Sequence, residues 1–168
     1  LIRAKTELLI CSGNHDLDSK NEAGEGMAQW LLGRRNDGIL SDGESMRVDD
    51  ILFTACPWWD GPVSKAEIGQ QLRKAADDRE SRWIWIYHAP PSKSPIAWSG
   101  QRYFGDDALV HWIDEYQPDI VMCGHVHEAA RITGEWRERV GTTWCLGGAW
   151  DGPELCLVRL DPDRPEAA

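Results

Sequence analysis

Apolar positions along the chain change period several times, and each change marks an element. Glu7-Leu-Leu-Ile-Cys11 is a short continuous apolar run of the kind a buried strand gives. A polar stretch over 12–20 follows, and from Glu22 to Arg35 the residues Met27, Trp30, Leu31 and Arg34 recur at helical spacing, which predicts a helix. Asp50-Ile-Leu-Phe-Thr-Ala-Cys56 predicts a second strand, stopped by Pro57. Ser64 to Glu80 then predicts a helix with Ser64 as N-cap and Glu67, three residues on, completing a capping box. Arg82-Trp-Ile-Trp-Ile-Tyr-His88 is a third strand, closed by Ala89-Pro-Pro91, and Asp106 to Gln117 is a helix with Leu109, Trp112, Ile113 and Tyr116 on one face. Asp119-Ile-Val-Met-Cys123 is the fourth strand. Shorter strands come last, Thr142 to Leu146 and Leu155 to Leu160, with the turn Trp150-Asp-Gly-Pro153 between them. Strand–helix alternation of this kind predicts an α/β fold with a largely parallel sheet, finished by antiparallel C-terminal strands. No shift in composition divides the chain, so a single domain over 1–168 is expected. The string Trp-Asp-Gly-Pro occurs at 59–62 and again at 150–153 without matching flanks, which makes two similar turns and no repeat.

Composition narrows the function classes. The chain has 168 residues, 42% hydrophobic and 27% charged, as a globular domain does. No apolar run approaches the ~20 residues needed to cross a bilayer, and the first residues lack the apolar stretch of a signal peptide. A soluble, cytoplasmic protein that does not bind membranes is therefore expected. Asp+Glu 28 against Lys+Arg 18 gives a net charge of −10, which repels nucleic-acid backbones and argues against general nucleic-acid binding. Five cysteines without Cys-x-x-Cys spacing read as reduced core thiols. Tryptophan, at 10 residues against 3 Tyr and 2 Phe, carries an N–H that needs a partner when buried, so some of these rings are expected to line a cleft while most pack the core.

The chemistry sits just after the strands. His15 lies in Gly13-Asn-His-Asp16, His88 in His-Ala-Pro-Pro91, and His125 and His127 in Gly124-His-Val-His127. In a parallel sheet the loops at the carboxyl ends of strands converge on one edge, so these histidines are expected to cluster. Imidazole nitrogen and amide oxygen are good ligands for borderline divalent metals, and the cluster reads as a metal site. Gly13 and Gly124 suit a sharp exit from a strand into a crowded site. His111, inside a predicted helix and away from any strand end, is assigned a structural or solvent role. Ser92 to Phe104, rich in turn residues and aromatics, follows the His88 loop and is expected to cover the crevice. Trp98, Arg102, Tyr103 and the turn Trp58-Trp59-Asp60 are candidates for contact with the organic part of a substrate, or for simple packing.

Taken together, Gly13-Asn-His-Asp16, His88 and Gly124-His-Val-His127 resemble, in order and spacing, the third, fourth and fifth motifs of the calcineurin-like metallophosphoesterases. The resemblance implies part of a four-layer α/β/β/α sandwich of the metallo-dependent phosphatase type. It also implies a dinuclear metal centre that hydrolyses phosphoester bonds of small molecules or nucleotides. It makes Asn14, His88 and His125 ligands of one metal and His127 a ligand of the other. His15 would stabilise or protonate the leaving oxygen, with Asp16 orienting its ring. The donor types leave Mn, Fe, Zn, Co and Ni open.

The family's two earlier motifs, Asp-x-His and Gly-Asp-x-x-Asp, are absent. Gly105-Asp106 begins like the second, but Leu109 stands where its last acid belongs and the stretch follows His88, so it is expected to start a helix. The simplest expectation is a chain truncated upstream of Leu1 and inactive in isolation. The alternatives are a non-catalytic, metal- or partner-binding fragment or descendant of the same fold, and a zinc-stabilised structural domain built from the same histidines.

Overall fold

The computed structural model describes residues 7–148 together with 161 and 164. The predicted strand Leu155–Leu160, the turn before it and Cys156 lie outside the described residues. The chain divides into two compact units, Leu1–His88 and Ala89–Ala168.

In the first unit the stretch 7–11 is extended and pairs with a single residue: Ile10 N–H donates to the Leu40 carbonyl at 3.0 Å and Leu40 N–H to the Leu8 carbonyl at 3.1 Å. Strands β1 (Ser19–Lys20) and β2 (Gly26–Met27) form a small antiparallel ribbon. Helix α1 (Gln29–Gly33) runs into a 3-10 turn, Arg34–Asp37, which Gly38 ends at φ 77°. The helix predicted over 22–35 therefore starts seven residues late. The side chain of Asn21 accepts the N–H groups of Ala23 and Glu25, and Gly24 turns the chain at φ 80°, so 21–25 is a turn and Met27 belongs to a strand.

Strand β3 (Ser45–Val48) pairs antiparallel with β4 (Ile51–Ala55). Helix α2 (Pro62–Asp77) then carries the chain over to β5 (Arg82–Ile86), parallel to β4, as a parallel connection requires. Residues 83–85 of β5 are all buried, as are Leu52 and Ala55 of β4 and Ile68 and Leu72 of α2, which matches the continuous apolar pattern of the strand.

Ser64 is not the N-cap of α2. The helix begins at Pro62, whose missing N–H would be an orphan there in any case. The Ser64 hydroxyl accepts from Asp60 N and Gly61 N, at 3.1 and 3.2 Å. Glu25, a buried residue 38 positions upstream, accepts the Val63 and Ser64 N–H groups at 2.9 and 2.7 Å and the Ser64 hydroxyl at 2.6 Å. The Ser64 hydroxyl and these two amides hold the Glu25 carboxyl below its ordinary pKa.

In the second unit α3 (Asp107–Tyr116) starts as expected from Asp106, whose carboxylate accepts the Ala108 N–H at 2.7 Å. It buries Ala108, Leu109, Trp112 and Ile113. Strand β6 (Ile120–Cys123) leads through Gly124–Glu128 into the short helix α4 (Ala129–Thr133). Strand β7 (Arg137–Val140) pairs antiparallel with β8 (Thr143–Gly147), and β8 runs parallel to β6. Each unit thus combines parallel and antiparallel pairing, and the mixed α/β architecture agrees with the fold class expected from the strand–helix alternation. The four described cysteines are free thiols, and burial pushes Cys11 and Cys145 up to about 12. No helix among the described residues is long and apolar enough to cross a membrane.

Candidate metal centre

The donors in the first unit sit on a turn held by short hydrogen bonds. Asp16 closes it from both sides: its carboxylate accepts the Gly13 N–H at 2.8 Å, and its own N–H donates to the Gly13 carbonyl at 3.1 Å. Ser12, one residue earlier, is buried and fixed twice. Its N–H donates to Asp42 Oδ1 at 2.7 Å, and its hydroxyl accepts the Trp58 N–H at 2.9 Å. Burial raises the Asp42 carboxyl above its ordinary pKa, against the Ser12 hydrogen bonds that favour its charged form. A cavity of about 240 Å³ is lined by Ser12, Asp42, Trp58, Met27 and Gln71.

The turn delivers Asn14 to His88, which lies just beyond the end of β5. Asn14 Oδ1 and His88 Nε2 are 3.1 Å apart. The His88 ring lies so close to Gly13 that a Cβ there would come within 2.6–2.8 Å of three ring atoms. Trp58 meets the same ring edge-on, with centroids 5.7 Å apart. Glycine at position 13 is needed for close approach, as the sequence suggested. His15 is exposed on the turn and Asp16 is half-buried. Trp30 was not anticipated here. Its indole N–H donates to the Asp16 carbonyl at 3.0 Å and its backbone N–H to Asp18 Oδ1 at 3.3 Å, and no local pattern in the sequence signals either contact.

In the second unit His125 and His127 flank the buried Val126 on the loop after β6. The Val126 N–H donates to the Gly124 carbonyl at 2.9 Å across His125, whose φ is 68°. This is a γ-turn of the strained, positive-φ kind. The left-handed conformation thus falls on the histidine itself. Non-glycine residues held this way cost about 1–3 kcal/mol and cluster at functional sites. The Phe104 ring meets the His125 ring edge-on at 6.0 Å between centroids, and His127 is exposed.

The expected donors therefore meet as Asn14 with His88, while His125 and His127 share a loop. Among the described residues no three His, Cys, Asp or Glu side chains gather as a group able to hold an ion. His111 is exposed on α3. Of the proposed substrate contacts, Trp58 instead packs on His88. Trp59 donates its indole N–H to the Tyr87 hydroxyl at 3.0 Å, and Asp60 accepts the Gly26 N–H at 2.8 Å.

No curated protein sequence matches the chain. One solved crystal structure superposes with a TM-score of 0.54 at 13% identity, over 73% of this chain and 51% of that one, so the chain spans about half the length of the structure it matches. That likeness speaks to the fold alone. The structure of TT1561 of Thermus thermophilus matches with a TM-score of 0.49 at 12% identity, covering 73% of this chain and 56% of that one. A sequence model of the calcineurin-like phosphoesterases runs through residues 1–129 and takes in Asn14, His88, His125 and His127. The chain belongs to that family, the calcineurin-like phosphoesterases, whose members hydrolyse phosphoesters with the help of divalent metal ions.

Proposed function

We propose that the chain contributes to a centre of two divalent ions that hydrolyses phosphoesters of small molecules or nucleotides, with Asn14, His88 and His125 as donors to one ion and His127 to the other. The observation that supports this best is the 3.1 Å approach of Asn14 Oδ1 to His88 Nε2. Ligands in neighbouring positions on an ion bound at about 2.0–2.2 Å lie about 3–3.4 Å apart. The pair therefore already has the spacing of two adjacent ligands, and its neutral N and O donors suit Mn, Fe, Zn, Co or Ni.

Bound divalent ions neutralise phosphate oxygens and lower the pKa of water. The chain's own residues do the rest. Gly13 leaves room for the His88 ring, and Trp58 meets that ring edge-on. His15, exposed on the same turn, gives a proton to the leaving oxygen, a role worth ~10²–10⁴-fold. Asp16 orients it by closing the turn that carries it.

The test strips the protein with chelator, reloads it with Mn²⁺ and assays p-nitrophenyl phosphate and bis(p-nitrophenyl) phosphate. Turnover should require the metal. His15→Gln should lower kcat about 10²–10⁴-fold with metal content retained, while His88→Ala should lose metal first. Full activity under excess chelator, or equal metal loss in both variants, would refute the reading. The scarcity of clustered anionic ligands among the described residues favours a second reading, a metal- or partner-binding chain without catalysis. Metal uptake with no turnover on either ester would select it.

A further inference from the structure

The loop between the 3-10 turn Pro95–Ala97 and α3 presents aromatic and cationic groups to solvent from a fixed backbone. Ser94 caps the 3-10 turn through the Ile96 N–H, and Phe104 N–H returns to the Ala97 carbonyl at 2.9 Å. Between these anchors Trp98 and Tyr103 pair as an antiparallel bridge, their rings 4.8 Å apart, and Ser99 bonds through both its N–H and its hydroxyl to the Arg102 carbonyl. Tyr103 is 52% exposed and Phe104 38%. Their exposure is thus built in by the hydrogen bonds of the loop.

Arg102 lies on this platform with its guanidinium carbon 4.3 Å from the Phe104 ring centroid, and Phe104 in turn meets the His125 ring. The guanidinium is therefore no farther from the His125 imidazole than those two centroid distances combined. Arg34, Arg35, Arg47 and Arg164 each face a carboxylate. Among the described residues no carboxylate lies within ion-pair range of Arg102. In a chain of net charge −10, carboxylates are plentiful, and an exposed arginine kept from them by stacking is available to an anion from solution. Stacking leaves the edges of the guanidinium free, and those edges form the planar fork that matches phosphate or carboxylate oxygens.

Resting on the metal-centre reading of His125, we propose that Arg102 binds an anionic group of the substrate other than the phosphate being hydrolysed. The chain would then select phosphoesters that carry a second anionic group. Phe104 holds the guanidinium in place, and the tilted Trp98–Tyr103 pair, 53° between ring planes, offers aromatic faces to the organic part of the same molecule.

The test compares two probes that differ by one phosphate, AMP and ADP, by calorimetric titration of the Mn²⁺-loaded protein. The wild type should prefer ADP. Arg102→Gln should cut that preference about tenfold with the thermal midpoint unchanged, and Arg102→Lys should keep part of it, since charge survives while the stacked fork does not. A wild type without ADP preference, or an ADP/AMP ratio unchanged in Arg102→Gln, would overturn the proposal. Equal weakening of both nucleotides would overturn it too, by placing Arg102 on the scissile phosphate. Metal-dependent turnover of p-nitrophenyl phosphate, measured alongside, separates the two ideas. Turnover with an unchanged ratio sinks the Arg102 site alone, and an Arg102-dependent ratio without turnover sinks the hydrolase reading alone.

Discussion

The turn at Gly13–Asp16 and the loop at Gly124–His127 each present an imidazole or amide just past a strand, and they do so in opposite ways. In the first, the cost is avoided by leaving something out. Gly13 has no Cβ where the His88 ring must lie, and every constraint on the turn is a hydrogen bond or a ring contact. In the second, the cost is carried by the donor, because His125 takes a φ of 68° that a glycine would adopt freely. A histidine kept in such a conformation, with Phe104 against its ring, is hard to explain by packing economy alone. The first loop is therefore stable because of its donors' surroundings, and the second is less stable because of its donor.

The largest effect is expected at Gly13. In Gly13→Ala the new methyl would lie 2.6–2.8 Å from Cε1, Nδ1 and Nε2 of His88, and that ring is confined by Asn14 and Trp58. Overpacking of this kind costs about 1–3 kcal/mol, and displacing Nε2 from Asn14 should weaken Mn²⁺ or Zn²⁺ binding about 10–100-fold, as losses of supporting contacts at metal sites do. Denaturant unfolding and metal titration read the two consequences separately. Wild-type values in both would mean that the ring has room to move and that the packing account of the first loop is wrong.

At His125 the usual order of alanine and glycine should reverse. Both His125→Ala and His125→Gly remove the ring, so both lose the Phe104 contact and the metal donor equally. Only glycine also relieves the positive φ, so His125→Gly should be the more stable of the two by about 1 kcal/mol in urea unfolding. Ordinary positions favour alanine by a similar amount. If alanine proves the more stable here, the strain does not exist, and the contrast between the loops reduces to sequence.

How much of this was legible beforehand depended on whether the deciding interaction was local. Strands β4, β5, β6 and β8 and helix α3 lie within a residue or two of their expected bounds, because apolar runs and the Asp106 cap are properties of adjacent residues. The start of α2 was misplaced because its first amides are capped by Glu25, which no window around Ser64 contains. The helix expected over 22–35 begins only at Gln29 because Met27, a strand residue, falls on the helical period of Trp30 and Leu31, while Gly24 and the Asn21 side chain impose a turn before it. Strands β3 and β7 carry polar and charged residues, Ser-Met-Arg-Val and Arg-Glu-Arg-Val, and lack the apolar alternation that would announce them. Of the site, the donor residues were legible as motifs. The γ-turn at His125 and the anchoring of Ser12 by Asp42 were not, since neither leaves a compositional trace.

The smallest expected effect, that of Asp42→Asn, asks whether the first loop is held by hydrogen bonding or by charge. Asp42 accepts the buried Ser12 N–H, and its carboxyl titrates above its ordinary range, chiefly because it is buried. A carboxyl raised on folding takes up its proton more readily in the folded state than in the unfolded one. Stability from this group is therefore greatest below the unfolded Asp value of ~3.9 and falls as pH rises toward the folded value. Once ionised, Asp42 is a cost that its hydrogen bonds only partly offset. Asp42→Asn keeps an Oδ1 acceptor for Ser12 and removes the charge, so it should match or slightly exceed the wild type in stability at pH 7 and lose that margin near pH 4. Asp42→Ala removes the acceptor as well and strands the Ser12 N–H in the interior, at a cost of about 1–3 kcal/mol. Thermal unfolding of the two variants across pH 4–7 decides the matter. If asparagine at pH 7 is as damaging as alanine, the charge of Asp42, acting with Arg35, holds the turn, and the first loop too is maintained electrostatically.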